Sequence, residues 1–338
     1  MTDTDNPVSA ATNSASELAD TPLPETGWAE LTNRVLVRIS GSGVDKFLQG
    51  QFSQHLDEVV TGHSPRAAAA TPKGRAYCLT RMVRDEGDIL MDLDSGLAES
   101  TLTHLRKYLM LFRGTSADVM DEGRVIGLLG TSAAETLAGQ SLSGLEQPGD
   151  TLKLAQGHLI RVEPTAEGQS RFELWQTGEA KPELDRKTEL PMADWHASEI
   201  AAGIASLTEA TKEAFVPQML NWQHVGGVHF KKGCYTGQEV IARMHFLGQL
   251  KKSLYRFRLE QADGSPEPGT SVLSGERAAG TVVRAVKFHN GACELLAVVR
   301  HDAAEACLTI DGMPNQALSR LPLPYAVPER EKSPQTDT

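Results

Sequence analysis

The feature that most restricts the fold is a change of cadence near Lys252. Beyond it the chain reads as short strands: Ser253–Leu259, Ser271–Leu273, Gly280–Val286, Leu295–Val299 and Leu308–Ile310. They are spaced by the turn segments GSPEPG, SGERAAG and HNGAC. Runs this short, punctuated by Gly, Pro and Asn, fit a small all-β barrel or sandwich. Before Lys252 strands and helices alternate. Arg34–Ser40 (RVLVRIS) alternates like a strand, and Ser42-x-x-Asp45 reads as the cap of a short helix through Lys46–Gln51. Arg66–Thr71 and Arg75–Arg81 flank the tight turn Pro72-Lys73-Gly74, and Asp88–Leu93 is the next strand. Ser95–Leu111 carries Leu97, Leu102, Leu105 and Leu109 as a helical core stripe. Arg124–Leu129, Leu152–Leu154, His158–Val162 and Phe172–Trp175 are further short strands. Helices are expected from Ser132 to Leu137 and over Trp195–Ile204, the second ending near Gly203. Short hairpin-linked strands beside helices predict an α+β fold rather than a doubly wound parallel sheet. No phosphate-binding glycine fingerprint follows a strand.

Composition bounds the partners. At 338 residues the chain can bury two or three cores, and 40% hydrophobic with 23% charged residues is an ordinary globular balance. A net charge of −11 argues against a broad phosphate-binding face, so no direct nucleic-acid partner is expected. No apolar run approaches the roughly 18 residues of a membrane span, and Met1–Thr26 lacks the apolar or basic character of a targeting segment. A cytoplasmic protein with no membrane partner is expected. Cys78, Cys234, Cys293 and Cys307 form no C-x-x-C pair, which signals neither a zinc site nor a disulfide framework. Cys293 and Cys307, inside the all-β segment, read as buried structural thiols.

Cys234 differs from the others. It lies in Gly226–Lys252, GGVHFKKGCYTGQEVIARMHFLGQLKK, between Lys231-Lys232 and a signalled helix start. Thr236-x-x-Glu239 has the form of a capping box, and Val240, Ile241 and Met244 would face inward from the helix that follows. The positive end of that helix and the two lysines would all favour thiolate over thiol at Cys234. Lys231, Lys232, Arg243, Lys251 and Lys252 would form a local basic patch. His224 and His229 lie nearby, but a Cys/His metal centre needs four closely paired ligands, so no metal site is expected. On these residues alone, Cys234 stands equally between a functional and a structural thiol.

The run Phe230-Lys231-Lys232-Gly233-Cys234-Tyr235-Thr236-Gly237-Gln238-Glu239, continuing to Ala242-Arg243, resembles the signature of the YgfZ family of folate-binding proteins. These are relatives of the aminomethyltransferase (T-protein) of the glycine cleavage system. Phe47-Leu48-Gln49-Gly50-Gln51, Pro72-Lys73-Gly74-Arg75, Ala202-Gly203-Ile204 and Phe215-Val216-Pro217-Gln218-Met219-Leu220-Asn221-Trp222 follow the same order. The resemblance spans about Trp28 to Pro324. It implies two α+β lobes and a C-terminal β-barrel in a three-domain ring around a central folate pocket. It also implies an accessory role in assembling or repairing iron–sulfur clusters. Clients would include cluster-dependent enzymes that methylthiolate tRNA, with tetrahydrofolate or a derivative as cofactor.

Carried over residue by residue, Cys234 is the functional thiol and Trp195 the residue that stacks on the pterin. Lys231, Lys232, Gly233, Tyr235, Thr236, Gly237, Gln238, Glu239 and Arg243 support the motif. The departures matter too. Where the transferase has an Asp, this chain has Tyr77-Cys78, and where it has a Glu before Ala-Gly, this chain has Ala201. Arg34 stands in the register of an N-terminal aromatic contact, with Trp28 six residues earlier. A tetrahydrofolate-dependent aminomethyl transferase is therefore the alternative, and the chain leans away from being an enzyme. The expected division is a disordered tail over residues 1–27, a folate-binding α+β region of two interleaved lobes over 28–245, a β-barrel over 246–326 and a disordered tail over 327–338.

Overall fold

A computed structural model of the protein describes residues 18–248 and 250–327. In chain order its strands are β1 (Gly27–Glu30), β2 (Arg34–Ser40), β3 (Arg66–Ala70), β4 (Ala76–Asp85), β5 (Asp88–Asp94), β6 (Ser116–Val119), β7 (Arg124–Leu129) and β8 (Thr151–Leu154). They continue with β9 (Gly157–Val162), β10 (Arg171–Gln176), β11 (Lys252–Leu259), β12 (Ser271–Ser274), β13 (Arg277–Lys287), β14 (Cys293–Arg300), β15 (Leu308–Ile310) and β16 (Ser319–Leu321). The α-helices are α1 (Val44–Gln51), α2 (Ser95–Leu109), α3 (Ser132–Ala138), α4 (Met192–Ala201) and α5 (Gln238–Phe246).

Three antiparallel sheets result. Their strand orders are β1-β7-β10-β9-β8, β3-β4-β5-β2-β6 and β15-β12-β13-β14-β11-β16. The chain opens the first sheet with β1, builds the whole second sheet, and returns to complete the first with β7 to β10. Period-two alternation gives each sheet two apolar faces. In the second sheet Val37, Ile39, Ile89 and Met91 pack against α1 and α2. Its other face, with Leu36, Val83 and Leu90, meets Val125, Ile160 and Trp175 of the first sheet. In the third sheet Leu254, Val283, Leu296 and Val298 pack with Ala193, Ala197 and Ile200 of α4, whereas Tyr255, Phe257, Leu295 and Val299 face a separate core. The expected C-terminal β-barrel is a half-barrel, because β15 and β16 stand at its two ends and no pairing joins them among the described residues.

Several other expectations are corrected. Residues 18–27 belong to the fold: Ala19 is fully buried, exchanging backbone hydrogen bonds with Lys287 and His289, and the Asp20 amide donates to Asp194 Oδ1 at 2.7 Å. The remainder of the expected tails, 1–17 and 328–338, lies outside the described residues. Cys293 is buried, but Cys307 is exposed, in the turn before β15. Ser42 does not cap α1; Gly43 occupies that position without a side-chain bond, and its amide donates to Thr115 Oγ1 at 3.1 Å. By contrast, Asp94 caps α2 by accepting from the Gly96 amide at 3.0 Å.

Gly127, in the middle of β7, packs directly against Trp195 of α4. A Cβ there would lie 2.4 Å from the Trp195 ring. Overpacking a filled core costs about 1–3 kcal/mol, so Gly127→Ala should lower the unfolding free energy by about 2 kcal/mol in a urea titration. An unchanged midpoint would contradict this packing.

Candidate functional site

The most charged region lies at the junction of the three sheets. Arg34 of β2 pairs with Asp92 of β5 at 3.1 Å, with Glu173 of β10 at 3.0 Å, and with Glu199 of α4. Glu199 also takes Arg284 of β13. Arg66 of β3 and Arg81 of β4 share Glu163, at 2.6 and 3.1 Å, and Arg171 of β10 donates to Ser198 Oγ of α4 at 2.9 Å. Glu173 and Glu199 are both 2% exposed. Burial disfavours their charged forms, but the facing guanidiniums overcome it and hold Glu163, Glu173 and Glu199 below the ordinary carboxyl value. Asp92 and Asp94 go the other way: burial raises both despite Arg34 nearby.

A cleft opens onto this network. Asn33, Arg34, Arg66, Asp92, Asp94, Glu199 and Arg284 supply its polar wall, with Tyr77, Cys78, Ile204 and Trp222 among its other lining residues. Burial pushes the Cys78 thiol up, so it is a protonated wall group. Asn33 Oδ1 and Trp222 Nε1 are buried here without a partner among the described residues. The open room amounts to about 60 Å³. A second cavity of about 420 Å³ shares Arg66 and is lined by Gln54, His63, Arg81, Glu163, His224 and His229. Between the two, the Arg66 guanidinium lies 5.3 Å from the Trp222 ring centroid.

The Cys234 loop is built separately. Cys234 is exposed and lines neither cavity. Its loop docks on the Phe47–Gln51 and Pro72–Arg75 motifs: the Thr236 amide donates to Gly50 O at 3.1 Å, and Gly74 faces Val240. The capping box does not form. The α5 N-cap is Gly237, with φ of +84° and no side-chain bond. Two constraints select glycine there, since a Cβ would also come within 2.5 Å of Thr71 O. Of the expected inward face only Ile241 is fully buried, with Val240 and Met244 half-buried; Gln238 Oε1 accepts from the Tyr235 amide at 3.3 Å, and Glu239 is exposed. The basic patch also shrinks. Lys231, Arg243 and Lys251 are exposed, but Lys232 is 5% exposed and turned inward. His229 Nε2 sits 3.0 Å from Glu58, and His224 stacks on Tyr325 with centroids 5.3 Å apart.

Trp195 is corrected as well. It is 1% exposed, packed against Gly127, with the Arg171 guanidinium 4.2 Å from its ring centroid. No open face remains for a pterin, so the residue belongs to the core. The segments around Tyr77-Cys78 and after Ala201 do meet, in one cleft, although neither position carries its expected carboxylate. The carboxylates present come from Asp92, Asp94 and Glu199, residues that the sequence motifs did not single out. Alternation within β5 places Asp92 and Asp94 on one face, but their arginine partners are distant in sequence.

The class of protein follows from comparison with solved structures. The glycine cleavage system aminomethyltransferase T from Bartonella henselae superposes with a TM-score of 0.67, over 89% of this chain and 86% of that one. At 16% identity this likeness defines an aminomethyltransferase-type fold and nothing narrower. No protein-family model matches the chain. The tRNA-modifying protein YgfZ of Escherichia coli is 31% identical over 309 residues, covering 88% of this chain and 93% of that protein. Its namesake in Colwellia psychrerythraea is 28% identical over 311 residues, covering 90% and 95%. The chain belongs to the YgfZ family.

Removing one member of a buried ion-pair network strands its partners and costs about 3–5 kcal/mol. Arg34→Met should therefore lower stability by that amount at pH 7. The acid side has a fixed sign. Glu163, Glu173 and Glu199 lie below their ordinary 4.5, so their stabilisation is complete above that value and is lost as pH falls through their folded values. Without Arg34 that acid loss should be shallower. Equal urea midpoints for the two proteins at pH 7 would contradict the network.

Proposed function

We propose that this protein is a folate-binding accessory factor for assembling or repairing iron–sulfur clusters, with Cys234 as its functional thiol. In this reading the three sheets form a three-domain ring, and reduced folate (tetrahydrofolate or a derivative) takes the central cleft. The observation that carries the proposal is the pairing of an aminomethyltransferase-type fold with an exposed Cys234 held in the family's motif. The cleft suits the group in its chemistry. A pterin presents both donors and acceptors along one edge, and Asn33 Oδ1 and Trp222 Nε1 are unpartnered groups of opposite type in the wall. It suits the group less well in size, because 60 Å³ is far below the few hundred Å³ of an ordinary ligand site. A folate would draw on both cavities and would require Arg66 to shift from Trp222. Trp222 then replaces Trp195 as the aromatic contact.

The transferase reading is weaker. Aminomethyl transfer needs a carboxyl free to hold the pteridine and manage a proton, whereas Arg34 engages both Asp92 and Glu199, and Asp94 is engaged as the cap of α2. The curated relatives are named tRNA-modifying proteins. Support for cluster-dependent tRNA methylthiolation accounts for that name without direct RNA contact by an acidic chain. The partners are then transient iron–sulfur client enzymes, and the site of action is the cytoplasm. Among the described residues, no helix is long and apolar enough to cross a membrane.

Two outcomes test the proposal. Tetrahydrofolate should quench the intrinsic tryptophan fluorescence of the wild-type protein, and Trp222→Phe should lose most of that quenching while Trp195→Phe keeps it. Absence of quenching in the wild type would overturn folate binding. In a strain lacking the protein, Cys234→Ser should accumulate normally yet fail to restore methylthiolated tRNA. Full restoration would remove Cys234 from the mechanism.

A further inference from the structure

Lys232 sits two residues before Cys234, and its buried side chain has a defined set of partners. Nζ donates to the backbone carbonyls of Gln49 at 2.7 Å, Phe52 at 2.6 Å and Gln54 at 2.7 Å, and lies 4.8 Å from the Tyr235 ring centroid. Three acceptors match the three N–H bonds of an ammonium group. The set follows from local structure, because the last turn of α1 leaves carbonyls such as Gln49 O without an intrahelical partner. The same segment holds the loop on either side of Lys232: Ser53 O accepts from the His229 amide at 2.9 Å, and Gly50 O from the Thr236 amide at 3.1 Å. Gly233 and Cys234, between those anchors, are exposed.

We propose that Lys232 is a positioning residue whose amine fastens the Cys234 loop to the carbonyls at the end of α1 and so fixes where the thiol is presented. The proposal rests on Cys234 being the functional thiol, but its test does not use that function. Removing the amine would leave three inward-facing carbonyls unpaired, each then bearing the full desolvation penalty of an unsatisfied acceptor. That is enough to release the loop without unfolding the three sheets, whose cores lie elsewhere.

The clamp also carries a proton signature. Burial, with no facing carboxylate to oppose it, brings the Lys232 pKa down from 10.5 to about 7. The nearby titratable groups are accounted for: burial raises the Tyr235 phenol, while His229 is engaged with Glu58 and meets His55 edge-to-face with ring centroids 5.3 Å apart. A released Lys232 would titrate at its ordinary value. Between about pH 7 and 10.5 the released loop therefore binds one more proton than the docked loop, and docking tightens as pH rises.

Hydrogen exchange of the Gly233–Gln238 amides, corrected for intrinsic rates, reads the loop-opening constant in the full chain. In the wild type that constant should fall several-fold per unit from about pH 7 to about pH 9. In Lys232→Met it should be at least about tenfold larger at pH 7 and independent of pH. Identical profiles in the two proteins, flat or sloping, would overturn the proposal. Should Lys232→Met fail to fold, Lys232→Gln takes its place: its shorter side chain with two N–H bonds cannot reach all three carbonyls, so loop opening equal to the wild type would overturn the proposal. Failure of Cys234→Ser to restore tRNA methylthiolation is scored separately, so the clamp and the thiol's function can fail independently.

Discussion

The structure depends on the buried charge shared by Arg34 and Glu199. Arg34 belongs to the second sheet, Glu199 to α4, and through them Glu173 of the first sheet and Arg284 of the third join one network. Desolvating charges is costly, so such a network persists only where every member is paired. Each carboxylate is matched to a guanidinium from a different element. Apolar packing alone would hold each sheet to its neighbour with some freedom to slide. Directional ion pairs fix the relative placement of all three, and with it the walls of the cleft.

The cleft and the thiol are consequently separate devices. The cleft is charged and narrow, with its arginines already engaged. Cys234 stands on a loop outside it, fastened to the end of α1 by Lys232 and by backbone hydrogen bonds. A transferase performs its chemistry where the folate sits. Here the Cys234 thiol faces solvent, as the proposed role of meeting a partner protein requires. In the proposed function the folate would be a bound element of the scaffold, and the exposed loop the point of exchange.

Much of the fold could be read from the chain because it rests on local pattern. Alternation gave Arg34–Ser40 with the bounds of β2, and the cadence after Lys252 gave β11 to β15. β1, β6 and β16 were missed, being strands of three or four residues that exist only through pairing with distant partners. Closure of the barrel could not be read, since it depends on whether two remote strands meet. At the site, the motif resemblance singled out Cys234, Phe47–Gln51 and Pro72–Arg75 by their order in the chain, and the structure brings them together in space. It misplaced Trp195, whose burial depends on the absence of a side chain at Gly127, and took Lys232 for a surface cation. The Arg34 network left no local signal at all. Its central pair, Arg34 and Glu199, is 165 residues apart, and nothing in RVLVRIS distinguishes a buried arginine from an exposed one.

The most direct test of the account is a structure of the protein with tetrahydrofolate bound. The account predicts a pterin seated in the cleft, within hydrogen-bonding reach of Asn33 or Trp222, with Arg66 displaced, Trp195 still buried and Cys234 still outside. A pterin stacked on Trp195, or folate bound away from the three-sheet junction, would contradict it.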